Sequence, residues 1–512
     1  MQWLQVIVEQ LIARRPGGTD PIVVSSGVSP SGTYHLGTLR EVLTAEIIAV
    51  ELRRRGYTAR HIHVVDDLDV FRKVPADVSA EWERYLGRPL CDVPAPDGSS
   101  RSYADFFVQA LFDAAQQMHL SMEVIRAHQY YRSGKFVPVI ETACQHIDTI
   151  KHILTDVSGR KLDEQWSPIQ IIENGQLKNR QYYSIDTTNK TITYVNASGQ
   201  NVAVSYADGA VKLSWRVDWP ARWSLLGVDC EPFGRDHATK GGSYDTGASI
   251  ARTVFGVEPP LPMPYHFINR VGQTKKMSKS KGDVITAAEL LTILPTEIVW
   301  FFLLRYPPSK QLFFGEGETL LRLFDEFAEL QAKPHKTADE QQLLDLCLHG
   351  VSEPTVSNVP FSHLVNTYQA SLKNPDRTLA TISRSEYADI ASKQAPIIRR
   401  ELAYIDNWLQ QWAPDQVKFE LSQQIRKADF NENEVKLFTG LAKKFVQAPA
   451  NADGQWFHAA LYELKDELGM QPADVFSALY RLLIGKTHGP RAGYFLSILP
   501  QDWLLARLTF KS

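Results

Sequence analysis

Residues 23–40 read VVSSGVSPSGTYHLGTLR. A short β-branched run, PIVVS at 21–25, leads into a loop of serine, glycine and proline that carries one histidine, His35. Leu36, Leu39, Leu43, Ile47 and Val50 then recur at helical spacing, so a strand feeds a helix. The helical pattern ends at Arg55 before Gly56, a residue suited to the left-handed position that closes a helix. ARHIHVVDD supplies a second strand. Such a βαβ unit implies a parallel sheet with a right-handed crossover. Ligands of such sheets sit beyond the carboxyl ends of the strands, and this loop lies there. Gly27, Gly32 and Gly37 allow close backbone approach, and the unpaired N–H groups at the helix start favour an anion. From this stretch alone, a tight turn with a surface histidine and a phosphate loop are equally good readings.

The rest of the chain limits what that loop can belong to. Its 512 residues exceed one hydrophobic core and imply two to four domains. With 44% hydrophobic and 22% charged residues the chain is neither disordered nor membrane-spanning in composition. MQWLQVIVEQLIARRP has Glu9 in its apolar part and reads as a short amphipathic helix rather than a signal. The four cysteines, Cys91, Cys144, Cys230 and Cys347, form no C-x-x-C pair, which suits a reducing compartment and sets the expectation of a cytoplasmic protein. The net charge of −3 leaves nucleic-acid binding open, because a local basic face decides it.

A second signal lies far downstream. Residues 270–283 read RVGQTKKMSKSKGD, where Arg270, Lys275, Lys276, Lys279 and Lys281 crowd a turn-prone segment. Alone, such a run is most often a solvated loop. Paired with the histidine loop it takes on another meaning: SPSGTYHLGT with KMSKSKGD resembles the paired HIGH and KMSKS signatures of class I aminoacyl-tRNA synthetases. DDLDVFRKVP (66–75), KLSWRVDWPARW (212–223), EPFGRDHATKGGSYDTG (231–247) and GKTHGPRAGYF (485–495) narrow the resemblance to the class I lysyl-tRNA synthetase family. It covers most of the chain from about residue 20 and is weakest in 150–210 and 330–470.

The resemblance implies ATP-dependent activation of L-lysine and its transfer through a lysyl-adenylate to the terminal adenosine of tRNA(Lys), with Mg²⁺ accompanying ATP. It makes His35, Lys276 and Lys279 the catalytic candidates. Ser31, Gly32, His35, Gly37, Thr38, Gly241, Met277, Ser278, Lys279 and Ser280 become the ATP contacts, and Gly27, Ser29, Asp67, Trp215, Asp236, His237 and Tyr265 the lysine contacts. The chemistry needs positioning and charge stabilisation around the α-phosphate rather than a covalent enzyme intermediate. Read without the family, Trp215, Trp219 and Trp223 at four-residue spacing are a core stripe on a helix, and His61 and His63, alternating on one strand face, are a packed and a semi-exposed histidine beside the sheet edge rather than ligands of a metal. Thr38 departs from the motif, which usually ends in asparagine or histidine; a hydroxyl there has shorter reach.

The expected fold is α/β: a split Rossmann-like parallel sheet with an inserted α+β connective domain, followed by an α-helical domain. Residues 1–75 carry the first half and 213–285 the second half with the lysine loop. The insertion, 76–212, contacts the acceptor stem by resemblance. It begins with a helix over 103–118 and continues as β-hairpins marked by NG, NK, SG and DG pairs between 174 and 209. Many relatives bind zinc near there; with no cysteine between Cys144 and Cys230, no structural zinc is expected. A helical junction follows over 286–320. Residues 321–512 read as a helical bundle with breaks near Pro334, Asn358–Pro360 and Ala448–Gly454, and by resemblance bind the anticodon. Lys486, Arg491, Arg507 and Lys511, with Tyr494, Phe495 and Trp503 among them, suit unstacked bases and phosphates, or else a packed terminal helix with a charged face. No membrane partner and a monomer are expected. A class I synthetase for another amino acid, glutamate above all, and a noncatalytic tRNA-binding paralogue are the alternatives.

Overall fold

A computed structural model of the protein describes residues 1–15, 20–163, 166–273, 284–449 and 452–511. The chain forms two units, one of residues 1–291 with 303–314, the other of residues 292–302 with 315–512. No single helix among the described residues is long and apolar enough to cross a membrane.

The first unit is built on a five-stranded parallel sheet. Its strands are β1 (Ile22–Val28), β2 (Ala59–Val65), β3 (Glu123–Arg126), β4 (Cys230–Gly234) and β5 (Leu261–Tyr265), in the order β5-β4-β1-β2-β3. The chain winds outward through β2 and β3, then returns to the other side of β1, so the winding reverses between β1 and β4. A crevice opens at that reversal, beyond the carboxyl ends of the strands. Helix α1 (Gln2–Arg14) buries Leu4, Ile7, Val8 and Leu11 and packs on α2 (Leu36–Arg54). Covered by the sheet on one side and α1 on another, α2 buries more than its apolar stripe, including Arg40, Thr44, Glu46 and Glu51. Gly56, at φ +86°, closes it in the left-handed conformation expected there.

The first half of the sheet runs further than the sequence suggests. Helix Tyr103–Gln117 leads into β3, which pairs with β2 from Ile62↔Glu123 to Val65↔Arg126. The expected boundary at residue 75 is therefore too early. EVIR is a four-residue edge strand with two exposed positions, and it carries no alternation to announce it. The insertion proper follows β3. Three short helices precede two three-stranded antiparallel sheets, one of 169–173, 176–179 and 211–213, the other of 182–186, 191–195 and 201–205. Asn174 and Gly175 both have positive φ, 51° and 76°, as the two-residue hairpin turn between Glu173 and Gln176 requires. Tyr131 and Phe136 stack at 3.8 Å in a core with Ile140, Ile150, Ile171 and Leu213. Among the described residues no group of three or more His, Cys, Asp or Glu side chains forms a metal site.

In the second unit the helices begin and end where the sequence breaks. Glu318–Ala332 stops before Pro334, Phe361–Ala370 starts after Pro360, and Glu432–Val446 and Gly454–Leu468 flank the break near 448–454. Capping boxes at Thr337–Glu340 and Asn431–Glu434 satisfy the first N–H groups of their helices. The terminal helices pack Leu437, Leu461, Leu479, Phe495 and Leu504 into one core. Phe495 is thus a core residue, not an exposed ring. Lys486 donates to the carbonyls of Asp415 and Lys418, and Arg507 to that of Gln423, so these two cations tie down backbone.

Candidate active site

His35 occupies the N-cap position of α2. Its Nδ1 accepts the N–H of Gly37 at 2.9 Å, satisfying one of the helix's first donors. In the neutral ring the hydrogen therefore sits on Nε2, which makes that nitrogen a donor suited to an anionic oxygen. Gly37 is needed because the imidazole lies against it: a Cβ there would stand 2.7 Å from His35 Cε1. Thr38 is buried in the first helical turn, its N–H bonded to the carbonyl of His35. Ser31 is exposed in the loop and Gly32 buried; the Ser31 carbonyl accepts from Tyr103 Oη at 3.3 Å.

The chain that follows the lysine-rich run in sequence pairs with the start of α2. Lys275, Lys276, Met277, Ser278, Lys279, Ser280 and Lys281 lie outside the described residues. The chain just beyond them forms a bridge of His35 with Thr286: Leu36 N–H donates to the Ile285 carbonyl and Ala287 N–H to that of Tyr34. Two segments about 250 residues apart in sequence are thereby fixed side by side at the start of α2.

Beside the histidine loop, the carboxyl ends of β1, β4 and β5 gather a second group. Glu41, in the first part of α2, accepts the Gly27 N–H at 2.9 Å and the Tyr265 hydroxyl at 2.6 Å. Burial, with Glu41 beside it, pushes the Tyr265 phenol well above its ordinary value, so it stays protonated and donates. Asp236 lies near enough to add to that shift, its Oδ1 folded against Gly234 where a Cβ would be 2.6 Å away. Arg40 stands 6.0 Å from the Tyr265 ring centre and donates to the carbonyls of Pro308 and Lys310; burial lowers it to about 10, which leaves it charged at neutral pH. Gly27 fits tightly between strands, since a Cβ there would meet the Val64 carbonyl at 3.1 Å.

A cavity of about 100 Å³ adjoins these residues, lined by Gly27, Ser29, Asp66, Trp215, Trp219 and Glu231 among others. Helix α3 (Trp215–Leu226) supplies the tryptophans. Trp219 and Trp223 are core residues whose indole N–H groups donate to the buried Glu231. Trp215, at 38% exposure, stacks on Trp219 with ring centres 5.2 Å apart, and His237 stands 6.1 Å from it. Trp219 and Trp223 thus take the core reading of the stripe, while Trp215 is half-exposed at the cavity. Asp66, Asp218, Lys212, Arg222 and Tyr131 form a buried ionic cluster behind the cavity that joins β2, α3 and the inserted segment. Burial pushes the Asp66 carboxyl up, but Arg222 and Lys212 outweigh it and hold the group below its ordinary value. Removing one partner of such a cluster would leave a charge uncompensated in the interior.

Two further residues of the expected set, Asp67 and Gly241, have protein partners of their own. Asp67 is fully buried, accepting from Arg126 Nε at 2.6 Å and from the His128 backbone at 2.8 Å, with His128 Nδ1 also at 2.6 Å. Its carboxylate is committed to these neighbours, because a strand-end aspartate finds its partner on β3 and the helix after it. Gly241, at φ +70°, donates its N–H to Asp245, and a Cβ there would meet the Val157 carbonyl at 2.5 Å. It is the point where the loop after β4 touches the inserted helix Ile147–Ser158.

His61 and His63 are both buried, rather than one packed and one semi-exposed, because each ring finds a partner inside the sheet layer. Ser26 Oγ lies 2.8 Å from both His61 Nε2 and His63 Nδ1, and His61 Nδ1 lies 2.7 Å from Glu46. Burial, with His61 nearby, lowers His63 to about 3, and it stays neutral. Burial raises the Glu46 carboxyl, but hydrogen bonds from His61 and Ser121 prevail and hold it at about 2. Both folded values lie below the ordinary 6.5 and 4.5, so the unfolded chain binds protons first. The stabilisation from His63 is complete above pH 6.5 and is lost as pH falls toward 3; that from Glu46 is complete above 4.5 and is lost toward 2. Thermal unfolding midpoints are expected to fall steadily from pH 6.5 downward, and less steeply in His63→Leu; equal slopes in the two proteins would contradict this.

A parallel sheet whose winding reverses beside a histidine-capped helix, with residues 285–287 paired to the chain at that cap, defines a mononucleotide-binding type of α/β domain. The family of class I (K) tRNA synthetases matches residues 1–354. A lysine–tRNA ligase of Archaeoglobus fulgidus is 35% identical over 512 residues, covering 99% of each chain. Lysine–tRNA ligase 1 of Methanosarcina acetivorans is 33% identical over 532 residues, covering 99% of this chain and 98% of its own. The chain belongs to the class I (K) tRNA synthetases.

Proposed function

We propose that the chain ligates L-lysine to tRNA(Lys), using ATP with Mg²⁺, through a lysyl-adenylate that is passed to the terminal adenosine of the tRNA. One observation carries the reading: the backbone pairing of residues 34–36 with 285–287, which brings the chain following the lysine-rich run in sequence beside His35. Loop and run then serve one triphosphate.

The lysine carboxylate attacks the α-phosphate in line, and charge builds on phosphate oxygens as pyrophosphate leaves. His35 Nε2 donates to those oxygens, with Ser31, Gly32, Gly37 and Thr38 around the nucleotide; Met277, Ser278 and Ser280 shape the lysine run, and Lys276 and Lys279 neutralise the departing pyrophosphate. Mg²⁺, when bound with ATP, adds charge neutralisation on the phosphates. The amino acid occupies the crevice between β1 and β4. Trp215 and His237 wall its methylene chain, Gly27 and Ser29 border its backbone, and the acidic pair Glu41 and Asp236 with Tyr265 meets its ammonium. Glu41 was absent from the sequence-derived set; the geometry favours it over Asp67, whose charge is already paired.

The inserted segment contacts the acceptor stem without structural zinc, its hairpins stabilised by their own packing, and the helical unit binds the anticodon. The protein acts as a cytoplasmic monomer. Charging of a tRNA(Lys) transcript, measured with lysine and with glutamate and arginine as controls, is expected for lysine alone. Charging with glutamate would favour the rival specificity, and no charging at all the noncatalytic paralogue.

A further inference from the structure

Two tryptophans of α3 share one carboxyl oxygen. Glu231, the second residue of β4, is 8% exposed, and its Oε2 accepts the indole N–H of Trp219 at 3.1 Å and that of Trp223 at 2.5 Å. The rings around it are packed on one another. Trp223 lies 4.9 Å from Trp219 and 5.8 Å from Tyr244, and Phe233 stands edge-on to Trp219 at 5.5 Å. Trp223 is also wedged against helix Ser243–Thr253, where a Cβ at Gly247 would stand 2.9 Å from its indole.

An acid in such surroundings is costly. Burial pushes the Glu231 carboxyl above its ordinary value, with the two indole bonds and Arg222 pulling it back. An apolar side chain of like volume would fill the same space without that cost, so packing does not account for the residue. What the carboxyl supplies is direction. The outer torsion of a tryptophan is broad and nearly two-fold, so a ring in an apolar cluster can lie either way round. A fixed acceptor for its N–H selects one way.

The direction of Trp219 matters outside the core. Trp215 is the first residue of α3, and its half-exposed ring lies nearly parallel to that of Trp219, with 15° between the planes. His237 meets Trp219 edge-on at 5.6 Å. Both Trp215 and His237 therefore rest on the one ring whose orientation Glu231 holds.

We propose that Glu231 is a positioning residue for lysine binding: it fixes the indole of Trp219, and Trp219 fixes Trp215 and His237 as the wall along the substrate's methylene chain. The inference rests on the lysine-ligating reading above. Either protonation state of the carboxyl leaves an oxygen that accepts both indoles, so the hold needs an oxygen at this place rather than a charge.

The test measures charging of a tRNA(Lys) transcript by the full chain at varied lysine and varied ATP. Glu231→Met keeps the volume and removes the acceptor. It is expected to raise the KM for lysine by roughly 3- to 30-fold, the effect of losing a well-placed aromatic wall, with kcat and the KM for ATP unchanged. A merely structural role would instead lower the active fraction, and kcat with it, at constant KM. Glu231→Gln restores an acceptor oxygen and is expected to recover most of the lost affinity. Because Glu231 acts through Trp219, its replacement is expected to add little in a Trp219→Phe background, where the N–H is already gone. Trp219→Phe alone is expected to raise the KM for lysine alike, and it carries the test if Glu231→Met does not fold. An unaltered KM for lysine in Glu231→Met or in Trp219→Phe would overturn the proposal. So would an equal effect of Glu231→Met in both backgrounds, which would assign Glu231 a direct contact with the substrate. Wild-type charging separates the two readings: its absence with lysine contradicts the proposed function, whereas normal wild-type charging with unaltered variants contradicts the role of Glu231 alone.

Discussion

Replacing His35 with asparagine is expected to slow lysine-dependent adenylate formation by roughly 10²–10³-fold, the usual effect of deleting one transition-state donor, while leaving the fold intact. The ring has two jobs at its two nitrogens. Nδ1 caps α2 through Gly37, and asparagine, a good N-cap residue, retains that role. Nε2 serves the phosphate, and the shorter amide does not reach where the imidazole does. His35→Ala loses both functions and is expected to add about 1 kcal/mol of destabilisation to the same rate defect. Because charge on the phosphate oxygens grows toward the transition state, the loss appears in kcat with a smaller change in KM for ATP. Single-turnover adenylate formation for the two variants, beside their thermal unfolding, checks this; full activity in His35→Asn would remove the ring from the chemistry and leave it a structural cap.

Glu41→Gln is expected to raise the KM for lysine by roughly 10- to 150-fold, as loss of a charged hydrogen-bond partner does, with little effect on KM for ATP. Glutamine still presents one oxygen to the Gly27 N–H or the Tyr265 hydroxyl, so the strand ends keep their contact. What disappears is the negative charge facing the substrate ammonium. Tyr265→Phe removes the donor and leaves the carboxylate, and is expected to perturb lysine binding less. Steady-state charging with varied lysine distinguishes the two. An unchanged KM in Glu41→Gln would assign the ammonium to Asp236 instead.

The contrast between His35 and Glu41 shows which parts of the site the sequence makes legible. His35 stands between an apolar strand and a helix whose leucines keep strict spacing, so its place at the carboxyl edge of a parallel sheet follows from local pattern alone, and β1, α2 and β2 lie close to where that pattern puts them. Glu41 reads as one more charge on a helix; its meaning arises only when Tyr265, 224 residues later, is brought against it. Asp67 differs again: its DD-x-D setting at a strand end looks like a substrate contact, and only the pairing of β3 beside β2 reveals Arg126 and His128 as partners of its carboxylate. That same short strand carries no alternation, which is why the first half of the sheet seems to end fifty residues early. The hairpins, by contrast, are announced by Asn-Gly, whose backbone preference is intrinsic. In the terminal helices the composition overstates the basic surface, since Lys486 and Arg507 are spent on carbonyls and Phe495 on the core.

The buried cluster of Asp66, Asp218, Lys212 and Arg222 gives these separate elements a shared anchor. It joins the end of β2 to the helix bearing Trp215 and to the last strand of the insertion. Such clusters add little net stability over an apolar core, but they penalise any arrangement that leaves a charge unpaired. The cavity wall beside Gly27 is thereby held to one geometry.

The most direct measurement is a crystal structure of the chain with L-lysine and a nonhydrolysable ATP analogue. The account predicts the phosphate chain within hydrogen-bond distance of His35 Nε2 and of Lys276 or Lys279, with the lysine ammonium at Glu41. Phosphates bound in a cavity away from His35, or the lysine run pointing to a different site, would contradict it.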